Sequence, residues 1–255
     1  MRKISSLFLL FAVLCALPLY GQAKQFRALL ITTTNGWHHE SINAAVPAIR
    51  KLGEKHHFEV VWEENIDRMF TKESLDSFDV IIFAMTTGDI LNDEQQALME
   101  AFIQSGKGFV GIHSATDTEY EWPWFMKLVG RSFHIHPVIQ TAELEVASRK
   151  FPGMENFPDK FIFTDEYYEF SEPYVKGLNT LLTIDEDTYD PKVDWGRKKG
   201  DGMGKFHPLA WYHEFDGGRS FYTALGHIPA VFEDSRFLEH LYGGIYWAAT
   251  GKGVK

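Results

Sequence analysis

Short apolar runs recur along the first half of the chain with helix-patterned stretches between them, and this alternation restricts the fold more than any other feature. Residues 25–33 (QFRALLITT) read as a buried strand, rich in aliphatic side chains and ended by polar ones. Residues 40–52 follow with Ile42, Val46, Ile49 and Leu52 on one helical stripe and Gly53 at the end, although Pro47 argues against an unbroken helix. Residues 58–62 and 79–85 are further strands, Asn92 caps a helix reaching to about residue 105, and residues 108–113 (GFVGIH) form a fourth strand. Such spacing predicts an α/β fold, a parallel sheet with helices on both faces. Ligands gather at the carboxyl ends of the strands in folds of this kind. Three polar clusters stand at those places, residues 32–40, 86–89 and 113–117.

The second half changes character. Residues 139–146 alternate, residues 181–184 are mostly apolar, and residues 208–215 return across Asp216-Gly217-Gly218 into residues 219–225 as an added β-hairpin. A closing helix spans residues 235–249, and the polar, glycine-containing residues 185–205 read as a long surface loop near the site. No linker or repeat divides the chain, so residues 24–255 are expected to form one domain.

Composition excludes several function classes. One cysteine in 255 residues cannot make a disulfide scaffold, and a net charge of −10 disfavours a nucleic-acid binder. Aromatic residues make up 15% of the chain, which fits either a dense core or a carbohydrate-handling cleft. Residues 1–23 read as an export signal: Arg2 and Lys3, the apolar run of residues 7–17, then Pro18 and small residues to Ala23. Cleavage there removes Cys15, and it takes the basic residues from 25 to 23 against 35 acidic ones, a net −12. The mature chain is therefore expected to be exported, periplasmic or secreted, with no membrane segment and no cysteine chemistry.

Several groups can carry chemistry. His113 ends a strand in Gly111-Ile112-His113-Ser114, a setting like a nucleophile elbow, with Asp117 close behind. Ser114 becomes a nucleophile only with a base beside it. His38, His39 and Glu40 lie between the first strand and the first helix, where an acid also suits the helix dipole. His134 and His136 face one side of an extended chain and are spaced to share a divalent metal such as zinc, with His38, His113, Glu166 or His227 completing the set. Asp165 and Glu166 precede Tyr167 and Tyr168; adjacent strand residues point to opposite faces, so only one carboxylate enters a given site.

These motifs resemble the ThuA-like (trehalose-utilisation) family, of the class I glutamine amidotransferase-like, flavodoxin-like superfamily. The likeness rests on residues 34–42 (TNGWHHESI), 108–118 (GFVGIHSATDT), 122–124 with 128–130, His136-Pro137, residues 164–168 (TDEYY), 207–211 (HPLAW), 217–227 and 243–245. The family histidine in the first stretch is matched by His39, with His38 the departure. Amidotransferases of this fold carry cysteine at the elbow, and His113 stands there instead, so thiolate glutamine hydrolysis is not expected. His227 falls near the place of the triad histidine, with Pro229 where a carboxylate partner could follow.

The resemblance implies sugar catabolism, on trehalose or a 3-keto-glucoside. The expected site holds His39, His113, His227, Glu166 and Asp117 as catalytic groups, with Trp124, Tyr167, Trp211 and Glu40 binding a small carbohydrate. A metal, if bound, would use His136, with His134 or two of the other groups. A non-catalytic sugar-binding protein and a structural zinc protein stay open beside the enzyme.

Overall fold

A computed structural model describes residues 23–171 and 175–254. Apart from Ala23, the export-signal stretch with Cys15 lies outside the described residues. Among those described, no helix is long and apolar enough to cross a membrane.

Strand β1 (Arg27–Ile31), helix α1 (Ile42–His56), β2 (Glu59–Glu63), the short α2 (Lys72–Asp76), β3 (Val80–Ala84), α3 (Asp93–Gln104) and β4 (Gly108–Ile112) build the alternating half. Strands β1, β3 and β4 are buried almost throughout, as expected of parallel strands covered on both faces. Helix α1 buries Ile42, Ala45, Val46, Ile49 and Leu52 and runs unbroken through Pro47, contrary to the sequence expectation. Pro47 sits early in the helix on its exposed side, so only one backbone bond is given up. In α3, Asn92 and Gln95 form a reciprocal capping box.

The chain continues through α4 (Pro123–Val129), β5 (Ser132–Ile135), β6 (Gln140–Val146), β7 (Lys160–Asp165), β8 (Glu169–Ser171) and β9 (Asn179–Ile184). It closes with β10 (Lys192–Asp194), β11 (Lys199–Asp201), β12 (Pro208–Phe215), β13 (Gly218–Thr223) and α5 (Ser235–Thr250). One nine-stranded sheet runs in the order β2-β1-β3-β4-β13-β12-β9-β6-β7, with β5-β8 and β10-β11 as separate two-stranded pairs. The first five strands are parallel, and the remaining pairings are antiparallel. The sheet is thus mixed rather than wholly parallel.

Two successive antiparallel pairings restore direction, so β9 and β7 point the same way as β13. Polypeptide leaving β1, β3, β4, β13, β9 and β7 therefore emerges along one edge. The chain visits β2 on one side of β1 and then β3 on the other, which opens a crevice at that edge. Helix α5 seals the sheet on the face it shares with α1. Its approach is so close that a Cβ on Gly108 would meet the Ala248 carbonyl oxygen at 2.1 Å.

Candidate active site

The elbow after β4 sets the centre. His113 is fully buried and adopts a left-handed backbone (φ +51°), which turns the chain sharply out of the sheet. Three bonds hold it there. Its Nδ1 donates to the Ala224 carbonyl at 2.8 Å, its own carbonyl accepts from the Tyr222 hydroxyl at 2.7 Å, and Tyr168 donates to Nε2 at 2.9 Å. With Nδ1 carrying the proton, Nε2 presents its lone pair to the crevice.

Three segments converge on that nitrogen. His39, from the turn leading into α1, is buried edge-on against His113 and His227, with ring centroids 4.8 and 5.3 Å away. His227, on the segment after β13, places Nδ1 3.2 Å from His113 Nε2. Glu166, just past β7, brings Oε2 to 3.1 Å from His227 Nδ1 and 3.6 Å from His113 Nε2. Its other oxygen lies 3.0 Å from His136 Nδ1, which donates to the Pro137 carbonyl at 2.8 Å. Glu166 is the carboxylate beside His227, in the role that Pro229 cannot fill.

The adjacent Asp165 does different work. It is buried and accepts from the backbone N–H groups of Gly226 (2.7 Å), His227 (3.1 Å) and Ile228 (3.2 Å). One carboxylate of the pair thus ties down the segment that carries His227, while the next faces the centre. The expected alternation of the two side chains is realised as this division of tasks.

Electrostatics follow from burial and proximity. Burial, reinforced by the neighbouring His113 and His227, pushes the His39 imidazole down to about 2, so it is neutral across the physiological range. Burial works against charge on Glu166, yet the close imidazoles of His113 and His227, with His136 behind, outweigh it and hold the carboxyl at about 2. His136 is lowered, chiefly by burial, against the opposing pull of Glu166. Burial also lowers His227, but Glu166 reverses the balance and its pKa is raised.

Above the centre lies a cavity of about 460 Å³ lined by Trp37, His39, Asp117, Phe133, His136, Glu166, Tyr168, Trp195 and His227. A space of this size holds a small sugar. Trp37 and Trp195 are 71% and 49% exposed, and so offer faces to whatever enters. Burial raises the Asp117 carboxyl, which accepts from the Tyr120 hydroxyl at 2.5 Å.

The structure thus brings His39, His113, His227, Glu166, Asp117 and His136 together. It keeps others out. His134 turns away, its Nε2 donating to the Lys199 carbonyl at 3.0 Å, because register breaks between Phe133 and Ile135 and the strand ends before His136. Trp211 and Tyr167 are wholly buried, with Trp211 Nε1 donating to Val129 and the Tyr167 hydroxyl to Phe163, so neither can stack on a sugar. Trp124 lies at the opposite sheet edge, bonded to Asp216 in the β12–β13 turn, and Glu40 is exposed at the start of α1. His38 is exposed on Thr34, whereas His39 turns inward. Ser114 has an imidazole beside it, His39 Nδ1 at 3.3 Å, but its hydroxyl is fully buried and supports that ring.

Sequence reasoning missed Trp195 and gave no site role to Trp37. A tryptophan in the otherwise polar stretch 185–205 was the available signal, since water-facing loops seldom spend so large an apolar ring without use.

Together these features define a flavodoxin-like α/β protein with a histidine–glutamate centre at the strand carboxyl ends. The family model for ThuA, described as trehalose utilisation, matches residues 27–248, and the chain belongs to that family. A ThuA-like protein from Bacteroides uniformis superposes with a TM-score of 0.73 at 23% identity, over 90% of this chain and 93% of that one. Another from Parabacteroides merdae gives 0.71 at 20%, over 91% and 92%. β-Galactosidase from Bacillus circulans shares the fold over 31% of its length, with a TM-score of 0.53 and 14% identity. None of the curated proteins matches the chain.

Proposed function

We propose that this protein is an exported enzyme of carbohydrate catabolism that acts on a glycoside or keto-sugar of the trehalose or 3-keto-glucoside type. The observation that carries this reading is convergence. Four histidines and a glutamate from five separate segments meet beneath two exposed tryptophans in a cavity of sugar size. A protein that only bound sugar would need the aromatic walls and a few hydroxyl partners, not a buried cluster of this kind.

Each group has a task in this scheme. Trp37 and Trp195 stack on the apolar face of a pyranose ring, and Asp117 accepts from its hydroxyls. His136 is the general base: Nδ1 donates to the Pro137 carbonyl beside the Glu166 carboxylate, which leaves Nε2 unprotonated. His113, buried and bonded at both ring nitrogens, does not take up the substrate proton. With His39, His227 and Glu166 it forms the polar floor against which charge develops on a substrate oxygen.

Turnover of trehalose and of 3-keto-glucosides, followed for the wild type and for His136→Ala and Glu166→Gln, tests the scheme. Losses of a hundredfold or more are expected for both variants. Wild-type rates in both would remove the cluster from the chemistry, and calorimetric sugar binding with no turnover would make this a binding protein. The export reading rests on Arg2, Lys3 and the apolar residues 7–17. It predicts that the N-terminus of protein recovered outside the cytoplasm begins at Lys24.

A further inference from the structure

We propose that His39, His113, His227 and Glu166 hold one divalent transition-metal ion, which takes adjacent hydroxyl and carbonyl oxygens of a sugar on its pocket side. Metal binding stands on geometry alone; only its service to a sugar rests on the function proposed above.

The first argument is spacing. One ligand atom from each residue lies within 4.8 Å of all the others. Metal–ligand bonds of about 2.1 Å set neighbouring donors about 3.0 Å apart in an octahedron and about 3.4 Å apart in a tetrahedron. The contacts among His113 Nε2, His227 Nδ1 and Glu166 Oε2 are 3.1, 3.2 and 3.6 Å.

The second argument is an orphaned atom. Glu166 is 5% exposed, and its Oε2 is buried without a properly aligned hydrogen-bond donor, despite the imidazole nitrogen 3.1 Å away. A buried carboxylate oxygen left in this way is costly unless a cation completes it. Glu166 Oε2 thus sits among the imidazole nitrogens at ligand spacing without serving as a hydrogen-bond acceptor, which is the placement a shared cation requires.

The third is the support behind the ligands. The Ala224 carbonyl takes the His113 Nδ1 proton, and the Ser114 hydroxyl engages His39 Nδ1, so each ring has its other nitrogen left to bind. His136 Nδ1 stands 3.0 Å from the far oxygen of Glu166. The Tyr168 hydroxyl, now on His113 Nε2, gives up that bond on loading and stands next to the ion. Three imidazoles and a carboxylate without sulfur suit a borderline divalent ion such as zinc, iron(II), cobalt or nickel, with the carboxylate and sugar oxygens also admitting the harder manganese. An ion that accepts five or six ligands keeps positions for sugar oxygens on the side of Trp37 and Trp195.

The structure also replaces the sequence-expected metal pair. His134 is on another face, and His136 serves behind Glu166 rather than in the ligand set.

The test is metal content and affinity of the full mature chain, stripped with chelator and reloaded separately with zinc, manganese, cobalt and nickel chlorides. One equivalent of at least one metal is expected, with a rise in melting temperature and, for cobalt, a visible ligand-field spectrum. Glu166→Gln and His227→Ala should each weaken binding a hundredfold or more, Ser114→Ala about tenfold, and His134→Ala not at all. Should a ligand variant fail to fold, the wild-type stoichiometry, melting shift and cobalt spectrum still decide. Failure of every metal to bind the wild type, or stoichiometric binding untouched by Glu166→Gln, overturns the proposal. A loaded protein that turns over no sugar upholds the metal site and counts against the enzyme reading; chelator-resistant turnover by metal-free protein does the reverse.

Discussion

His240 shows what a single buried side chain does to the stability of this protein. It sits inside the fold among Phe157, Phe221 and Phe237, with Nδ1 on the Met154 sulfur and Nε2 unpartnered, and burial pushes its imidazole down to about 3. An unfolded histidine titrates near 6.5, so below that pH the unfolded chain binds a proton that the native chain refuses. Stability therefore falls as pH drops from about 6.5 towards 3, by up to 4–5 kcal/mol from this residue, to order of magnitude. Replacing it by leucine should flatten that loss, as read from urea midpoints at neutral and mildly acidic pH; parallel curves for both proteins would refute the assignment. Trp37 and Trp195 carry a second prediction. Removing either ring should raise the KM for a sugar substrate about tenfold and leave kcat nearly unchanged, the signature of lost ground-state stacking. At this scale the sequence was only partly readable. His39, His113 and His227 could be placed because each follows a strand pattern or a family motif. Tyr167 and Trp211 misled because an aromatic in a motif looks the same whether it lines a pocket or fills a core, and only the sheet pairing that buries them decides.

Among the elements, the end of β7 matters most, because Asp165 and Glu166 there serve two different segments. Asp165→Ala would leave three backbone N–H groups without their shared acceptor and release the stretch carrying His227. We expect a loss of about 3 kcal/mol in stability and a fall in activity beyond what the milder Asp165→Asn produces. Equal activity in the alanine variant and the wild type would show that His227 is held by other means. The contact between α5 and its neighbours supplies a further test. A Cβ on Gly243 would meet the Pro152 carbonyl oxygen at 1.9 Å, so Gly243→Ala must displace backbone and should cost about 2 kcal/mol or more in thermal or chemical unfolding. The long elements of the first half were legible because their hydrophobic periods are clean: β1, β3, β4 and α3 lie within a residue or two of their expected ends. Strands β5, β8, β10 and β11 were not, since three- and four-residue strands carry too few alternations to register, and β5 and β8 pair with each other from distant parts of the sequence.

For the molecule as a whole, the parallel half and the antiparallel half differ in cover. Hydrogen exchange should protect the amides of β1, β3 and β4 longest, because both faces are packed, and should release β10 and β11 first, because they pair only with each other. The reverse order would mean that the antiparallel half is the stable unit. Parallel layering with helices on two faces could be read from pattern alone, but the return of β7 to the edge that carries the histidine–glutamate centre could not. It depends on four successive antiparallel pairings, from β13 through β12, β9 and β6 to β7, whose register no local signal records. The pair β10–β11 also has a wider consequence. Trp195 rides in its turn, bounded by Asp194 and Lys199, whereas His113, His227 and Glu166 follow strands of the main sheet. One wall of the cavity therefore sits on a piece of polypeptide separable from the strands that carry His113, His227 and Glu166. A graft of residues 192–201 from another member of the family would change which guests are admitted while leaving the machinery underneath as it stands.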